Sequence, residues 1–221
     1  MENLASYIDH TLLKADSRRA EFDKLCQEAK THHFFSVCVN SYWVPTCAQL
    51  LTGSDVKVCT VVGFPLGASH STTKAFEADW AIKNGAREID MVINIGALKD
   101  KDHTFVESDI KTVVKACQGH TLKVIIETCL LTDDEKVSAC KIIEAAGAQF
   151  VKTSTGFSTA GAQLSDIILF KKNLSKHMQI KASGGIKNKA QALEFIQAGA
   201  NRLGTSSGVS LVQGMESKSS Y

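Results

Sequence analysis

Eight alternations of a short β-rich run with a helical stretch, fitted into 221 residues, predict a single α/β domain folded as a closed (β/α)8 TIM barrel. Two further observations point the same way. The candidate strands are short and mostly apolar, as expected of parallel strands covered on both faces. Three helices end at a glycine and lead within a few residues to an apolar strand: Asn84-Gly85-Ala86, Ala146-Gly147-Ala148 and Ala198-Gly199-Ala200. The chain holds only two prolines, Pro45 and Pro65, and no Ser/Gly-rich linker, so residues 1–213 read as one barrel domain and 214–221 as a polar tail. An open, doubly wound sheet is the alternative that the same pattern admits.

In chain order, residues 6–10 are a weak first strand. A helix over 17–33 follows, with Asp16 or Ser17 as N-cap and Phe22, Leu25, Cys26 and Ala29 along one face. The strand at 35–39 precedes a helix at 42–51. The strand at 56–62 precedes a helix at 72–83, and the strand at 88–93 a helix near 104–117. The fifth strand, 122–127, leads into a helix near 133–146, which opens with a capping-box pattern from Thr132 to Glu135. Strands at 150–153, 179–182 and 202–204 complete the eight, with helices near 164–176, at 189–198 and up to about residue 213.

Composition narrows the function. Lys+Arg number 25 and Asp+Glu 23, a net charge of +2, so nothing favours nucleic acid or an acidic membrane surface. No apolar run approaches the ~20 residues that span a bilayer. The N-terminus, MENLASYIDHTLLK, lacks the basic-then-apolar order of a signal peptide. The seven cysteines form no C-x-x-C and sit in apolar patterns, which fits a reducing cytoplasm. His32-His33 is the only histidine pair, and adjacent helical residues diverge, so no metal centre is expected.

In a barrel, chemistry gathers at the C-terminal ends of the strands. The polar residues there are Asp9, Thr11, Asn40, Asp90, Asn94, Glu127, Thr128, Lys152, Ser154, Lys181 and Ser183. Lys152 lies in FVKTSTGF, and Lys181 in QIKASGGI. A free lysine is less than ~0.1% neutral at pH 7, and burial or a second cation is what makes it a nucleophile. Adjacent strands lie about 4.8 Å apart, so two lysines on them can serve as Schiff-base former and depressor. The plainer reading pairs each lysine with a carboxylate, Asp90 or Glu127, as a structural ion pair. Asp90 is either such a partner or a proton-handling group. Gly184-Gly185 and the run 204–208 follow the last two strands, where barrels hold phosphate on backbone N–H groups, with Ser206 and Ser207 as added donors. Lys57 and Lys123 fall at strand starts and read as solvated charges on the opposite face.

The segments IDHTLLK, VCVN, TVVGFPLG, NGAREIDMVINIGALK, LKVIIET, FVKTSTGF, KASGGIK and GTSSG, in this order from about Ile8 to Gly208, resemble the 2-deoxyribose-5-phosphate aldolases, a class I aldolase family. The resemblance implies a (β/α)8 barrel that uses no metal or other cofactor. Its substrates are a small sugar phosphate and acetaldehyde, and many members are homodimers. It makes Lys152 the Schiff-base lysine, Lys181 the lysine that perturbs it and Asp90 the proton-handling carboxylate. Gly156, Gly184, Gly185, Ser206 and Ser207 hold the phosphate, and Asp9 and Thr11 lie near the sugar hydroxyls and the lysine network. Some members end in a tyrosine that folds over the site, which is the role implied for Tyr221. Ser41 and Ala15 stand where many members have proline, a departure that touches loop rigidity. Cys38, the cysteine of VCVN, reads as structural, with an aldehyde-facing position implied by the resemblance. Two rivals stay open: another Schiff-base sugar-phosphate aldolase with a different donor, and a non-catalytic barrel that binds sugar phosphate.

Overall fold

The strands of the computed structural model, which describes residues 3–215, set a row of apolar side chains outward against the helices and most of their charged residues inward. Side chains alternate along a strand, so one apolar row suffices to dock the helices. The elements are β1 (Ile8–Leu12), α1 (Arg19–His32), β2 (Ser36–Val39), α2 (Val44–Leu50), β3 (Lys57–Val62), α3 (Ser71–Lys83), β4 (Glu88–Val92), α4 (Ile95–Lys99), α5 (His103–Ala116), β5 (Thr121–Ile125), α6 (Asp133–Ala145), β6 (Phe150–Lys152), α7 (Leu164–Asn173), β7 (Gln179–Ser183), α8 (Lys189–Ala198), β8 (Arg202–Thr205) and α9 (Gly208–Gln213). Every strand pairs in parallel with its neighbours in sequence, and β8 closes on β1 with Ile8 beside Leu203, so the barrel has no edge.

The core lies between strands and helices. Ile8, Val37, Val58, Ile89, Leu122, Val151, Ile180 and Leu203 form its strand side, while Phe22, Ile110, Ile143 and Phe170 are among the helix residues that cover it. Burying each such side chain stabilises the fold by about 1.5–3 kcal/mol. A smaller apolar group of Leu13, Cys38, Cys59 and Val61, with Phe64 against it, fills the β1–β3 side of the interior. Among the described residues no helix is long and apolar enough to cross a membrane.

The expected elements are present, and the differences have local causes. The first strand begins at Ile8 rather than residue 6, because Leu4–Tyr7 forms a 3-10 turn capped by the Asn3 side chain. Neither Asp16 nor Ser17 caps the first helix. Arg18 occupies the N-cap, and its backbone N–H donates to the Glu21 carboxylate at 2.8 Å. Ser41–Trp43 is a 3-10 turn that precedes α2. The short helix α4, capped by Asn94, has no counterpart in the periodicity. Gly199 closes α8 at φ 117°, a conformation that favours glycine.

The capping box of α6 forms as its sequence predicts: Thr132 Oγ1 accepts from Glu135 N at 3.3 Å, and Glu135 accepts from Thr132 N at 2.8 Å. Thr132→Ala is expected to cost about 1 kcal/mol, read as a lower urea midpoint at unchanged slope. A loss of less than a few tenths would show that this cap adds nothing.

Candidate active site

Three lysines converge inside the barrel. Lys152 ends β6, Lys181 is central in β7 and Lys123 central in β5. Lys152 and Lys181 are direct register partners, as the adjacent-strand argument requires. Asp90, central in β4, meets all three. Its Oδ2 accepts from Lys152 Nζ at 2.7 Å and from Lys181 Nζ at 2.8 Å, and its Oδ1 from Lys123 Nζ at 2.9 Å. Lys123 and Lys181 are wholly buried, while Lys152 keeps 3% exposure.

Lys123 corrects the sequence reading. It is not a solvated charge on the N-terminal face but a buried ammonium 2.6 Å from Glu88 and 2.9 Å from Asp90. The signal lay in T-L-K-V-I, where Leu122 and Val124 flank the lysine and point outward into the core, so Lys123 points inward. Lys57, by contrast, is exposed as expected.

A second layer of charge lies below. Arg202, the first residue of β8, reaches Glu88 at 3.1 Å and Asp9 at 2.7 Å. Asp9 also holds Lys181 at 2.5 Å and accepts from the Ser36 hydroxyl at 2.6 Å. Asp9 therefore belongs to the lysine network. It is fully buried and presents no surface to a sugar hydroxyl. Thr11 is buried beside it, and its hydroxyl donates to the Asp9 carbonyl at 2.9 Å.

Burial alone pushes both carboxyls up, but the surrounding cations outweigh it. Lys181, Arg202 and Lys123 hold Asp9 well below the usual carboxylate range, and Lys123, Lys152 and Lys181 do the same for Asp90. Burial pushes Lys181 down, yet Asp9 and Asp90 raise it above the ordinary lysine range, and Lys123 is raised against its burial by Asp90, Cys59 and Glu88. Depressed carboxyls stabilise the fold fully above their unfolded value near 4 and lose that contribution as pH falls towards their folded values. Raised lysines stabilise it fully below their unfolded value near 10.4 and lose it as pH rises towards theirs. Stability in urea titrations is therefore expected to be level from about pH 5 to 9 and to fall below about pH 4. Equal stability at pH 3 and pH 7 would show that the network contributes nothing.

Glu127 lies two residues past β5 in the left-handed region, at φ 53°, and is buried. Its carboxylate accepts from the Thr155 hydroxyl and, at 3.3 Å, from Thr155 N, which ties it to the loop after Lys152. Burial raises it, against Thr155 and Lys152. Among the described residues it lies within ion-pair distance of no cation, so it is not the structural partner of a lysine that the sequence allowed.

Gly184, Gly185, Ser206 and Ser207 line one small depression with Ile186, Lys187, Gly204 and Thr205. Gly184, at φ 84°, packs so closely on the loop after β6 that an added Cβ would lie 3.1 Å from Gly161 Cα and 3.5 Å from Gly156 Cα. Thr205 Oγ1 donates to Ile186 O and accepts from Ser207 N, joining the two loops. The hydroxyls of Ser154 and Ser183, buried on the lysine faces of their segments, have no hydrogen-bond partner among the described residues. Tyr221 and the tail from residue 216 lie outside the described residues.

Cys38 and Cys59 are register partners, and their sulfurs and an Asp90 oxygen lie within 4.8 Å of one another, a spacing compatible with a metal ion. Both Asp90 oxygens already accept from ammonium groups, and the Cys59 thiol donates to Oδ1 at 3.2 Å. Three cations on one carboxylate oppose a fourth by Coulomb repulsion. Among the described residues all seven cysteines are free. Six are buried, and Cys129 is half-buried on the turn after β5, outside the apolar setting expected of it.

An amine at the end of a barrel strand, a second ammonium beside it, a shared carboxylate and a small-residue cradle two strands away suit carbonyl chemistry on an anionic substrate. Residues 4–214 match the model of the DeoC/LacD family aldolases. The chain is 59% identical to a deoxyribose-phosphate aldolase of Streptococcus uberis over 97% of this chain and 98% of that one. It is 58% identical to the enzyme so named from Bdellovibrio bacteriovorus over 99% of both. A solved deoxyribose-phosphate aldolase from Aeropyrum pernix, described as a unique tetramer, superposes with a TM-score of 0.89 at 31% identity over 95% of this chain and 89% of that one. The chain belongs to the DeoC/LacD family of aldolases and is an enzyme of the carbon–carbon lyase class.

Proposed function

We propose that the enzyme catalyses the reversible aldol cleavage of 2-deoxy-D-ribose 5-phosphate to acetaldehyde and D-glyceraldehyde 3-phosphate through an imine on Lys152. The observation that carries this reading is the position of Lys152. It ends β6, its Nζ is 2.7 Å from Asp90, and it alone of the three lysines keeps any exposure. Lys181 is sealed between Asp9 and Asp90 and stays a cation.

In the cleavage direction the neutral Lys152 amine adds to the C1 aldehyde of the open-chain sugar. The carbinolamine loses water to give an iminium. The C3 hydroxyl then yields its proton to Asp90 through a water, and the C2–C3 bond breaks. Its electron pair moves to the iminium, giving an enamine and releasing the three-carbon aldehyde phosphate. Protonation of the enamine at C2 and hydrolysis release acetaldehyde and the free amine. Lys181 keeps Asp90 ionised, and Ser154 and Ser183, whose hydroxyls have no partner among the described residues, offer them to the substrate. The cradle of Gly184, Gly185, Ser206 and Ser207, with Gly156 against it, holds the phosphate, so remote binding energy positions the reacting carbon. No step is assigned to Tyr221. A homodimer and cytoplasmic residence belong to the same reading, the latter supported by the free thiols.

The test is borohydride reduction in the presence of acetaldehyde, followed by peptide mass spectrometry. An ethyl group on Lys152 is the expected result. An adduct on Lys181 instead reverses the two roles, and no adduct on any lysine overturns the imine and favours a binding barrel. Donor screening separates the rival sugar-phosphate aldolases. Ser206→Asp sets a carboxylate against the phosphate and is expected to raise KM for the phosphorylated sugar roughly 10- to 100-fold, while kcat/KM for unphosphorylated 2-deoxyribose stays within about threefold. Equal losses on both sugars would remove the loop from phosphate binding.

A further inference from the structure

The charges inside the barrel form a closed circuit. Lys181 meets Asp90 at 2.8 Å, Asp90 meets Lys123 at 2.9 Å, and Lys123 meets Glu88 at 2.6 Å. Glu88 meets Arg202 at 3.1 Å, Arg202 meets Asp9 at 2.7 Å, and Asp9 returns to Lys181 at 2.5 Å. Six charges of alternating sign make a neutral ring. Among the described residues, Lys152 attaches to it from outside, through Asp90 alone, at 2.7 Å. Among the described residues, four cations thus face three carboxylates at ion-pair distance, and one positive charge is in surplus there.

We propose that Glu88 and Arg202, which lie a layer below the reacting amine, act as positioning residues: they complete the neutral ring, and its completeness leaves Lys152 as the surplus cation that gives up its proton. This rests on the reading of Lys152 as the imine-forming lysine. Neither residue touches substrate. Both line a cavity of about 480 Å³ at the N-terminal mouth, with Phe35 and Phe150, at the opposite end of the barrel from the phosphate cradle. The Arg202 guanidinium stacks on the Phe35 ring at 3.3 Å, which fixes its place in the ring.

The physical reason is charge balance at low dielectric. A cation already shared between two carboxylates loses two attractive partners when it deprotonates. Lys181 and Lys123 are so placed, and Lys152 has one carboxylate that it shares with two other ammoniums. Among the described residues no other titratable group lies within ion-pair distance of Lys152. Glu127 feels its charge from farther off and is engaged by Thr155, and Cys38 and Cys59 are buried thiols, with the Cys59 proton on Asp90.

The test is the pH dependence of reductive trapping of acetaldehyde on Lys152 with cyanoborohydride, set beside that of kcat/KM. Glu88→Gln removes a carboxylate, doubles the surplus and is expected to move the acid limb down by about one pH unit. Arg202→Gln removes a cation, cancels the surplus and is expected to move the limb up by about as much. The double variant restores the balance, and Arg202→Lys never loses it, so both are expected to keep the limb near the wild-type pH. Loosened packing moves both single variants the same way. Shifts in one direction, or no shift in folded variants, overturn the proposal. Lysine-labelled NMR of the unmodified enzyme decides it should a variant fail to fold: loss of the Lys123 or Lys181 proton before that of Lys152 overturns the ring. No adduct on Lys152 at any pH sinks the imine assignment itself, whereas an adduct with unmoved limbs sinks only the role of Glu88 and Arg202.

Discussion

Lys152→Ala is expected to lower aldol cleavage by roughly four to six orders of magnitude while the barrel stays folded. The imine is the electron sink for the C–C bond, so its loss removes the covalent path rather than weakening one contact. Neither other lysine of the network can replace it. Lys181 Nζ is held by Asp9 at 2.5 Å and Asp90 at 2.8 Å, and Lys123 Nζ by Glu88 and Asp90. The truncation costs little stability, because Asp90 keeps Lys123 and Lys181 and the ring stays closed. Acetaldehyde release, borohydride labelling and the thermal midpoint are the three readouts. Residual turnover within tenfold of wild type would end the imine mechanism, and loss of fold with loss of activity would leave Lys152 a structural ion-pair partner.

Asp90→Asn is expected to damage both links at once. The ring opens between Lys181 and Lys123, and an uncharged amide meets three ammonium groups where a carboxylate accepted from all of them. Removing one partner of a buried charge cluster typically costs about 3–5 kcal/mol, here read as the drop in urea midpoint. Turnover is expected to fall roughly 10²- to 10⁴-fold, the range of a lost acid–base group. Imine trapping on Lys152 is expected to persist, since the amine is intact and faces still less negative charge. Trapping and turnover then separate nucleophile from proton carrier. Loss of both to the same degree would show that Asp90 serves only to place Lys152.

Much of the fold was legible because it rests on local rules. Thr132 and Glu135 make their capping box, Gly199 ends its helix, and outward Val, Ile and Leu rows mark the strands. The boundaries that moved did so for short-range reasons, such as the Asn3 and Arg18–Glu21 caps. The site was legible in part. Lys152, Lys181 and Asp90 stood out as charges in apolar strands and do meet. Glu88, Lys123 and Arg202 carry the same signature in E-I-D-M-V, T-L-K-V-I and R-L-G-T, but a charge near a strand start is as readily a solvated one.

The amino-acid sequence by itself determined the (β/α)8 architecture and the family, because periodicity, caps and motif order are properties of neighbouring residues. Tertiary structure alone decided which charges share a cavity. Lys74 shows this away from the site: on a helix face it reads as a surface lysine, yet it is fully buried and meets Asp109 at 2.7 Å between α3 and α5. The ring within the barrel is the same case at larger scale. Its members come from β1, β4, β5, β7 and β8, up to 193 residues apart between Asp9 and Arg202. Only closure of the sheet brings their inward faces within 3.1 Å of one another. Ion pairing acts over a few ångströms whatever the chain separation, so it is written in the barrel's register rather than in any stretch of its chain.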